Sequence, residues 1–320
     1  MNREINDIFE EIQTFRIQGA TNIARTIIGA LIKYSDEIAE QSLNKEDFIR
    51  NIKNIAKKLA IAQSVESMAQ NIIGFIIFEL QDPAIKNVGD CKKIMERITN
   101  DLIVTIEENE EKFIENGTKL IESMEKKTRS LNIFTHCYSS GVRSVLEKSD
   151  NKNIDLKVFN IETRPVLQGR ITAKRLADVG ISVTMCLDSA ATFIISKKSG
   201  RDLDIDLVLL GADSISLDGS VMNKTGGYGM SLSAFHEKIP VYIVTSLLKT
   251  KKGVNNFTEI PIEKRSFKEI WPEAPIGVNI MNLAYDIIPS EFITGFVSEF
   301  GILKPEELKD VIKKNYPRLI

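Results

Sequence analysis

The segment DIDLVLLGADSISLDGSVMNK constrains the fold more than any other part of the chain. Its first part, from Ile205 to Leu210, is rich in branched apolar residues, which is typical of a strand buried on both faces of a parallel sheet. Gly211 ends this strand and Asp213 follows directly. Open α/β sheets bind their ligands at the carboxyl ends of their strands. The sequence therefore predicts that Asp213 lies in a site, with Asn223 and Lys224 returned to it by the turn at 217–220.

From residue 131 onward, short apolar segments alternate with amphipathic helical segments, which is the pattern of βαβ units around a parallel sheet. The predicted strands are 132–135, 156–161, 182–186, 205–210 and 241–245. The predicted helices are 142–147, 171–179, 190–197 and 230–237, followed by an irregular stretch, 249–290, and a final helix, 305–314. We therefore predict a Rossmann-like, doubly wound parallel sheet in residues 126–320.

Residues 1–125 carry apolar residues at helical spacing, as in Ile5, Ile8, Phe9 and Ile12, and predict a helical domain. After the first two helices, separated at Gly19, the predicted helices are 45–62, 65–80 and 86–115. The expected fold is thus α/β, with an N-terminal helical domain before the sheet. Gly19 also offers a place where the backbone can approach a ligand closely.

Composition excludes several classes of protein. The 320 residues include 42 basic and 44 acidic side chains, and a net charge of -2 gives no general reason to bind nucleic acid. The three cysteines, at wide spacing, argue against a disulfide framework or a zinc site. The sequence has no signal-peptide pattern and no run of 18 apolar residues. We expect a cytoplasmic protein without a membrane partner.

Cys137 follows the first predicted strand, and a helix is predicted to begin soon after it. A helix N-terminus lowers the pKa of a thiol, so we expect an available thiolate at this position. Two strand ends can bring Cys137 and Asp213 to opposite sides of one bound molecule, where one accepts a proton and the other donates it. His136 should point to the opposite face, because neighbouring strand residues alternate, and we expect a structural role for it.

Two loops are candidates for ligand binding. Residues 162–169, ETRPVLQG, place a carboxylate, a guanidinium and an amide after the second strand, although Glu162 and Arg164 could simply pair with each other. Residues 225–229, TGGYG, carry three glycines before a helix, which predicts free backbone amides that can face an anion. The sequence lacks GxGxxG after the first strand and also GxxxxGK[ST]. This favours a sugar phosphate over a nucleotide.

Together these motifs resemble the translation initiation factor 2B-related superfamily. The resemblance covers nearly the whole chain and depends on THC at 135–137, ETRPVLQG at 162–169, GAD at 211–213, NKTG at 223–226 and NLAYDIIP at 282–289. The superfamily includes ribose-1,5-bisphosphate isomerase, methylthioribose-1-phosphate isomerase and the regulatory subunits of initiation factor 2B.

The resemblance implies an aldose-ketose isomerase that converts ribose 1,5-bisphosphate to ribulose 1,5-bisphosphate through an enediolate. It implies Cys137 as base and Asp213 as acid, with no cofactor and no metal. The substrate-binding residues that it implies are Gln18, Gly19, Ala20, Gln63, Ser139, Gln168, Asn223, Lys224 and Lys249. Lys249 matches a lysine of the bisphosphate branch. The implied partners are a small sugar phosphate and further copies of the chain, as a homodimer or a hexamer.

Two positions depart from the isomerase pattern. The isomerases carry an RGA string where this chain has Gln18, Gly19 and Ala20, and Gln63 is the best match for a second arginine. Losing one charge-assisted phosphate contact costs about 1.5 to 3 kcal/mol. Two alternatives therefore stay open. One is a non-catalytic regulatory subunit or sugar-phosphate or nucleotide sensor that would bind initiation factor 2, and the other is a methylthioribose-1-phosphate isomerase, which binds only one phosphate.

Overall fold

The computed structural model describes residues 3–62, 65–198 and 203–320. The chain divides into two compact units, Met1–Asn109 and Glu110–Ile320. The division falls inside the long helix α5, whose bounds are Val88–Met124. The predicted domain boundary at residue 125 directly follows the end of this helix and stays a prediction.

The first unit is helical, as predicted. Its helices before α5 are α1 (Arg3–Gln13), α2 (Ala20–Ala39), α3 (Lys45–Ile61) and α4 (Ser67–Glu79). Asn44 sets the start of α3, because its side-chain oxygen accepts a hydrogen bond from Asp47 N at 2.9 Å. Gly19 precedes α2 with a φ of 84°, a left-handed conformation that favours glycine and explains the break between the first two helices.

The second unit is built around a seven-stranded sheet. Its strands are β1 (Leu131–Thr135), β2 (Leu156–Ile161), β3 (Ser182–Cys186), β4 (Leu207–Leu210), β7 (Val241–Val244), β9 (Gly295–Ser298) and β10 (Gly301–Leu303). They lie side by side in the order β10-β9-β7-β4-β1-β2-β3. All neighbours are parallel except β10, which runs antiparallel to β9. The chain builds outward from β1 in one direction through β2 and β3, and from β4 in the other through β7 and β9. The predicted doubly wound fold is confirmed, and its switch point lies between β1 and β4.

Helices cover this sheet. They are α6 (Ser140–Asp150), α7 (Gln168–Asp178), α8 (Ala191–Ile195), α9 (Gly227–Glu237) and α10 (Leu308–Asn315). One apolar core joins the strands to the last turns of α5 through fully buried side chains such as Ile121, Ile133 and Val145. A Cβ on Gly117 of α5 would come within 2.6 Å of a methyl carbon of Val145 in α6, so the Val145 side chain packs directly against the backbone of α5.

The start of β4 differs from the prediction, because the strand begins at Leu207 instead of Ile205. The reason is Asp206, whose carboxylate binds the Arg129 guanidinium at 2.6 and 2.7 Å and accepts a hydrogen bond from Asn132 N at 3.0 Å. A charged residue in this role belongs to the end of the sheet, where water is available, and not to its apolar interior.

A second, three-stranded antiparallel sheet was not predicted. It contains β5 (Ser214–Ile215), β6 (Val221–Lys224) and β8 (Tyr285–Ile288), in the order β5-β6-β8. The predicted turn at 217–220 joins β5 to β6, but β8 lies in the stretch predicted to be irregular. Strands of two to four residues are too short for a period to be recognised. Within the described residues, no helix combines the length and the apolar character that crossing a membrane requires.

Candidate active site

The switch point places Cys137 and Asp213 at the ends of neighbouring strands, two residues after β1 and three residues after β4. The two loops touch. A Cβ on Gly211 would come within 2.6 Å of Ser139 Oγ, so only a glycine lets the loop after β4 approach the loop after β1 so closely. This contact brings the two predicted catalytic residues to one edge of the sheet.

Cys137 has a φ of 61°, a left-handed conformation that is unusual for any residue other than glycine. Two threonine hydroxyls hold it there. Cys137 N donates to Thr163 Oγ1 at 2.8 Å, and its carbonyl oxygen accepts from Thr172 Oγ1 at 2.6 Å. Backbone strain of this kind persists only where the surroundings determine it, and it is concentrated at functional sites.

The thiol of Cys137 donates to Gln168 Oε1 at 3.3 Å. Gln168 is buried at the first position of α7. Its neighbour Gly169 fixes that position, since a Cβ there would lie 1.7 Å from the carbonyl oxygen of Ile161 at the end of β2. The structure thus brings Gln168 to the thiol, as a residue that could bind both the thiol and a substrate.

The predicted low pKa of Cys137 is wrong for this structure. The pKa of the half-buried thiol is raised to about 11, mainly by burial and in part by the nearby Asp213, while Lys224 and Lys249 oppose the rise. Helix α6 begins only at Ser140, and its N-terminus is capped by Ser139, whose hydroxyl accepts from Val142 N at 3.3 Å. The helix therefore stabilises a thiolate less than the sequence suggested.

Burial and the same neighbouring charges also act on the carboxyl group of Asp213. Burial raises the pKa of its carboxyl group, and the positive charges of Lys224 and Lys249 oppose that rise. A raised pKa favours the protonated carboxyl, which is the state that the predicted acid needs. The same two lysines therefore act on the pKa of both Cys137 and Asp213.

Asn223 and Lys224 lie on β6, where the predicted turn brings them back to the sheet edge. Asn223 Nδ2 donates to the carbonyl oxygen of Gly211 at 2.8 Å, which ties β6 to the end of β4. Lys224 is buried, and its Nζ lies 4.3 Å from the ring centroid of Tyr285, an arrangement that stabilises an ammonium through the face of the ring. Both residues thus join Asp213 at the same edge.

His136 is buried beneath the site and holds β6 in place. Its Nε2 lies 2.9 Å from the carbonyl oxygen of Lys224 and must donate, because a carbonyl oxygen can only accept. Burial lowers the pKa of the imidazole to about 4, so the ring is neutral near pH 7. These contacts agree with the structural role predicted for this residue.

Lys249 reaches the site from the short 3-10 turn Leu247–Lys249 after β7, and its Nζ donates to the carbonyl oxygen of Ala212 at 2.7 Å. Glu299 holds that turn: its buried carboxylate accepts from Leu247 N at 3.0 and 3.1 Å and from Ser246 Oγ at 3.0 Å. The Tyr316 hydroxyl donates to the same carboxylate at 2.9 Å. Sequence reasoning missed Glu299 and Tyr316, because no motif surrounds either residue.

The glycine-rich loop differs from the prediction. Two of its amides are not free, because Asp286 Oδ2 accepts from Gly226 N at 2.7 Å and from Tyr228 N at 3.1 Å. The chain thus supplies its own carboxylate to the N-terminus of α9. Burial raises the pKa of Asp286 to about 6. The NLAYDIIP stretch contained this residue but gave no sign of the contact.

The 162–169 loop also differs in detail. Glu162 pairs with Arg170, which donates from Nε at 3.0 Å, and not with Arg164, whose side chain is exposed. Besides the predicted Gln168, Thr163 of this loop touches Cys137, and sequence reasoning did not single it out. A threonine within a loop carries no recognisable signal of its own.

The predicted site residues of the second unit meet at one edge of the sheet: Cys137, Ser139, Gln168, Asp213, Asn223, Lys224 and Lys249. Gln18, Gly19 and Ala20 lie in the first unit, where the Gln18 amide donates to the carbonyl oxygen of Phe15. Gln63 lies outside the described residues. The roles of all these residues in catalysis and substrate binding stay predictions.

Residues 16–305 match the Initiation factor 2 subunit family. This chain belongs to that family. The predicted relationship is therefore confirmed.

Curated relatives of this family member extend over nearly its full length. Ribose 1,5-bisphosphate isomerase of Methanocaldococcus jannaschii is 29% identical over 319 residues, which cover 98% of this chain and 95% of the relative. Methylthioribose-1-phosphate isomerase of Desulforamulus reducens is 28% identical over 303 residues, which cover 89% and 84%. Both relatives are isomerases, and the predicted enzyme class is confirmed.

The fold is also found in a solved structure of the family. The crystal structure of Pyrococcus horikoshii translation initiation factor eIF-2B matches with a TM-score of 0.78 and 21% identity, covering 95% of this chain and 98% of that one. This likeness concerns the fold.

Proposed function

We propose that this family member converts ribose 1,5-bisphosphate to ribulose 1,5-bisphosphate. The observation that carries the proposal is the pairing of Cys137 with Asp213 at the switch point of the sheet, beside two lysines whose charges act on both groups. An aldose-ketose isomerase needs one group to remove a proton from C2 and another to donate a proton, and this pair can do both.

In the proposed reaction, Asp213 in its protonated form donates to the ring oxygen as the bond from C1 to that oxygen breaks. Cys137 as thiolate removes the proton from C2, which leaves an enediolate-type intermediate, a C1=C2 enol whose C1 oxygen still carries the phosphate. The Cys137 thiol then returns a proton to C1 and the Asp213 carboxylate takes the proton of the C2 hydroxyl, which gives the ketose and restores both groups. The sugar keeps both phosphates and all its atoms, so no cofactor takes part in this scheme.

Gln168 links the proposed chemistry to the geometry of the free site. In the structure the thiol donates to its Oε1, which is the arrangement of a protonated cysteine. A thiolate can only accept, so rotation of the amide must present Nε2 instead. We infer that Gln168 rotates when Cys137 loses its proton, and that Lys224 and Lys249 supply the positive charge that the thiolate and the phosphates require.

Methylthioribose 1-phosphate is the second candidate substrate. It carries one phosphate. Gln18 stands where the isomerase pattern has an arginine, and a chain that lacks one phosphate-binding arginine would bind a monophosphate more easily than a bisphosphate. A regulatory or sensing role for the same pocket is the third candidate, and the raised pKa of the Cys137 thiol favours it. Assembly into a dimer or hexamer stays a prediction.

Turnover of both sugars by the purified chain tests the proposal. We expect ribulose 1,5-bisphosphate to form faster, at equal substrate concentration, than the ketose of methylthioribose 1-phosphate. Cys137→Ser should abolish turnover, whereas Cys186→Ser, which changes another half-buried cysteine at the end of β3, should leave it intact. Faster conversion of methylthioribose 1-phosphate would transfer the proposal to that substrate, and binding without turnover of either would favour the sensor.

A further inference from the structure

Three neighbouring strands of the sheet are each followed, two residues after their last residue, by a residue of one hydrogen-bonded chain. Cys137 lies two residues after β1, Thr163 two residues after β2, and Asp188 two residues after β3. The strands pair in parallel and in register at these ends, with Thr135 opposite Asn160 and Ile161 opposite Cys186. The three residues therefore follow one another along the edge that holds the site.

Hydrogen bonds connect them in that order. Asp188 Oδ1 accepts from Thr163 N at 2.8 Å, and Oδ2 accepts from Arg164 N at 2.7 Å. Thr163 Oγ1 then accepts from Cys137 N at 2.8 Å. Both oxygens of the carboxylate are thus directed at the loop that touches Cys137. Asp188 begins a 3-10 turn but is not its N-cap, so capping does not account for this arrangement.

The backbone at the two linked positions is strained. Thr163 has a φ of 60° and Cys137 a φ of 61°. A β-branched residue seldom adopts the left-handed region, and neither residue is a glycine. Two strained residues joined by a hydrogen bond need an external constraint, and the carboxylate of Asp188 provides it at Thr163.

Hydrogen bonds through Thr163 connect Asp188 to Cys137. The charged side chains that shift the pKa of Cys137 are Lys224, Asp213 and Lys249. Asp188 acts on the pKa of His136 instead. Removing its contacts should therefore disturb where the thiol lies and what surrounds it.

We propose that Asp188 is a positioning residue, which fixes Thr163 so that Thr163 holds Cys137 in the conformation that presents its thiol to Gln168. The inference rests on the proposed function for what the thiol does in catalysis. The position of the thiol itself is measurable without any substrate.

Alkylation of Cys137 by iodoacetamide, followed by mass spectrometry across a range of pH, is the test. Asp188→Asn keeps the size of the side chain but can accept only one of the two N–H bonds. Thr163→Val removes the hydroxyl that accepts from Cys137 N. We expect each variant to change the alkylation rate of Cys137 by about two- to tenfold, the scale of one hydrogen bond between neutral groups, and to displace its pH profile, because Asp188 acts on Cys137 only through the bond from Cys137 N to Thr163 Oγ1. The double variant should differ little from Thr163→Val alone.

Two controls make the result specific. Thr163→Ser retains a hydroxyl at the same position and should restore the wild-type profile. Asp178→Asn removes another carboxylate of the second unit, one that forms an exposed ion pair with Lys174, and should change nothing. Thermal unfolding identifies any variant that fails to fold, and Thr163→Val carries the test if Asp188→Asn is such a variant.

Wild-type alkylation profiles in folded Asp188→Asn and Thr163→Val proteins would overturn the inference. If the chain turns over neither sugar phosphate, the proposed function fails while the alkylation result still decides the role of Asp188. In an active enzyme, kcat should fall in both variants with a much smaller change in KM, because the thiol and not the phosphate contacts is displaced.

Discussion

The hydroxyl of Ser139 packs against the backbone of Gly211, so that a Cβ at residue 211 would lie 2.6 Å from Ser139 Oγ and 2.9 Å from its Cβ. Through this contact the loop that carries Cys137 and the loop that carries Asp213 hold each other in register. The position of the predicted catalytic pair thus depends on a glycine that has no chemistry of its own.

Gly211→Ala should therefore separate the two loops. We expect a loss of about 1 to 3 kcal/mol in the free energy of unfolding, the usual cost of overpacking, together with a clear drop in kcat. Denaturant unfolding and turnover measure the two effects. Gly29→Ala, in open space on helix α2, is the matched control and should be neutral or slightly stabilising. An active, fully stable Gly211→Ala enzyme would contradict the contact.

The pH dependence of kcat/KM should depend on Lys224. The active form pairs a thiolate with a protonated carboxyl. Ionisation of Cys137 therefore raises the rate as the pH increases, and ionisation of Asp213 lowers it. The rising and falling limbs of the pH profile report the apparent pKa values of the pair as a whole. Lys224 lowers the pKa of both groups. Lys224→Met should consequently move both limbs to higher pH, whatever it does to substrate affinity. Limbs that stay in place or move to lower pH would contradict the assigned electrostatics.

Asp286 should make stability depend on pH. Burial raises its pKa from 3.8 to about 6, so the folded protein holds this proton more tightly than the unfolded chain. The stabilisation is complete below pH 4 and is lost as the pH rises through 6. Relative to Asp286→Asn, the wild-type protein should lose about 2 to 3 kcal/mol of unfolding free energy over this interval, at 1.36 kcal/mol per pKa unit. Urea unfolding of both proteins from pH 4 to 7 measures this difference, and a constant difference would refute it.

Tyr316 should influence the site through Glu299 and the turn that carries Lys249. Tyr316→Phe removes a hydrogen bond to a buried carboxylate, which should cost about 1.5 to 3 kcal/mol of stability and also lower turnover. In a Lys249→Ala background the loss of stability should remain while turnover falls no further. Tyr242→Phe, the same change on β7, is the control. Additive losses of turnover would show that Tyr316 does not act through Lys249.

The sequence was informative where apolar residues recur periodically over a long segment or where a motif exists. Strands such as Leu156–Ile161 and Ser182–Cys186 were predicted with their observed bounds, since their apolar runs are flanked by clear helical segments. The positions of Cys137 and Asp213 at strand ends followed from the same pattern. Those features depend on local sequence, which is what pattern reasoning can detect.

The unpredicted features depend on contacts between distant residues. Asp286 occupies the amides of the glycine loop from about sixty residues away in sequence, and Glu299 supports a turn about fifty residues before it. The pKa of Cys137 was misjudged for a related reason. A helix start is visible in sequence, whereas burial of the thiol is a property of the folded chain.

Exchange of carbon-bound hydrogen with deuterium oxide tests the central claim most directly. With ribose 1,5-bisphosphate, nuclear magnetic resonance should detect deuterium at C2 of the recovered substrate or at C1 of the ribulose product. Cys137→Ser and Asp213→Asn should both eliminate this signal, while Cys186→Ser retains it. A Cys137→Ser protein that exchanges hydrogen at the wild-type rate would contradict the account.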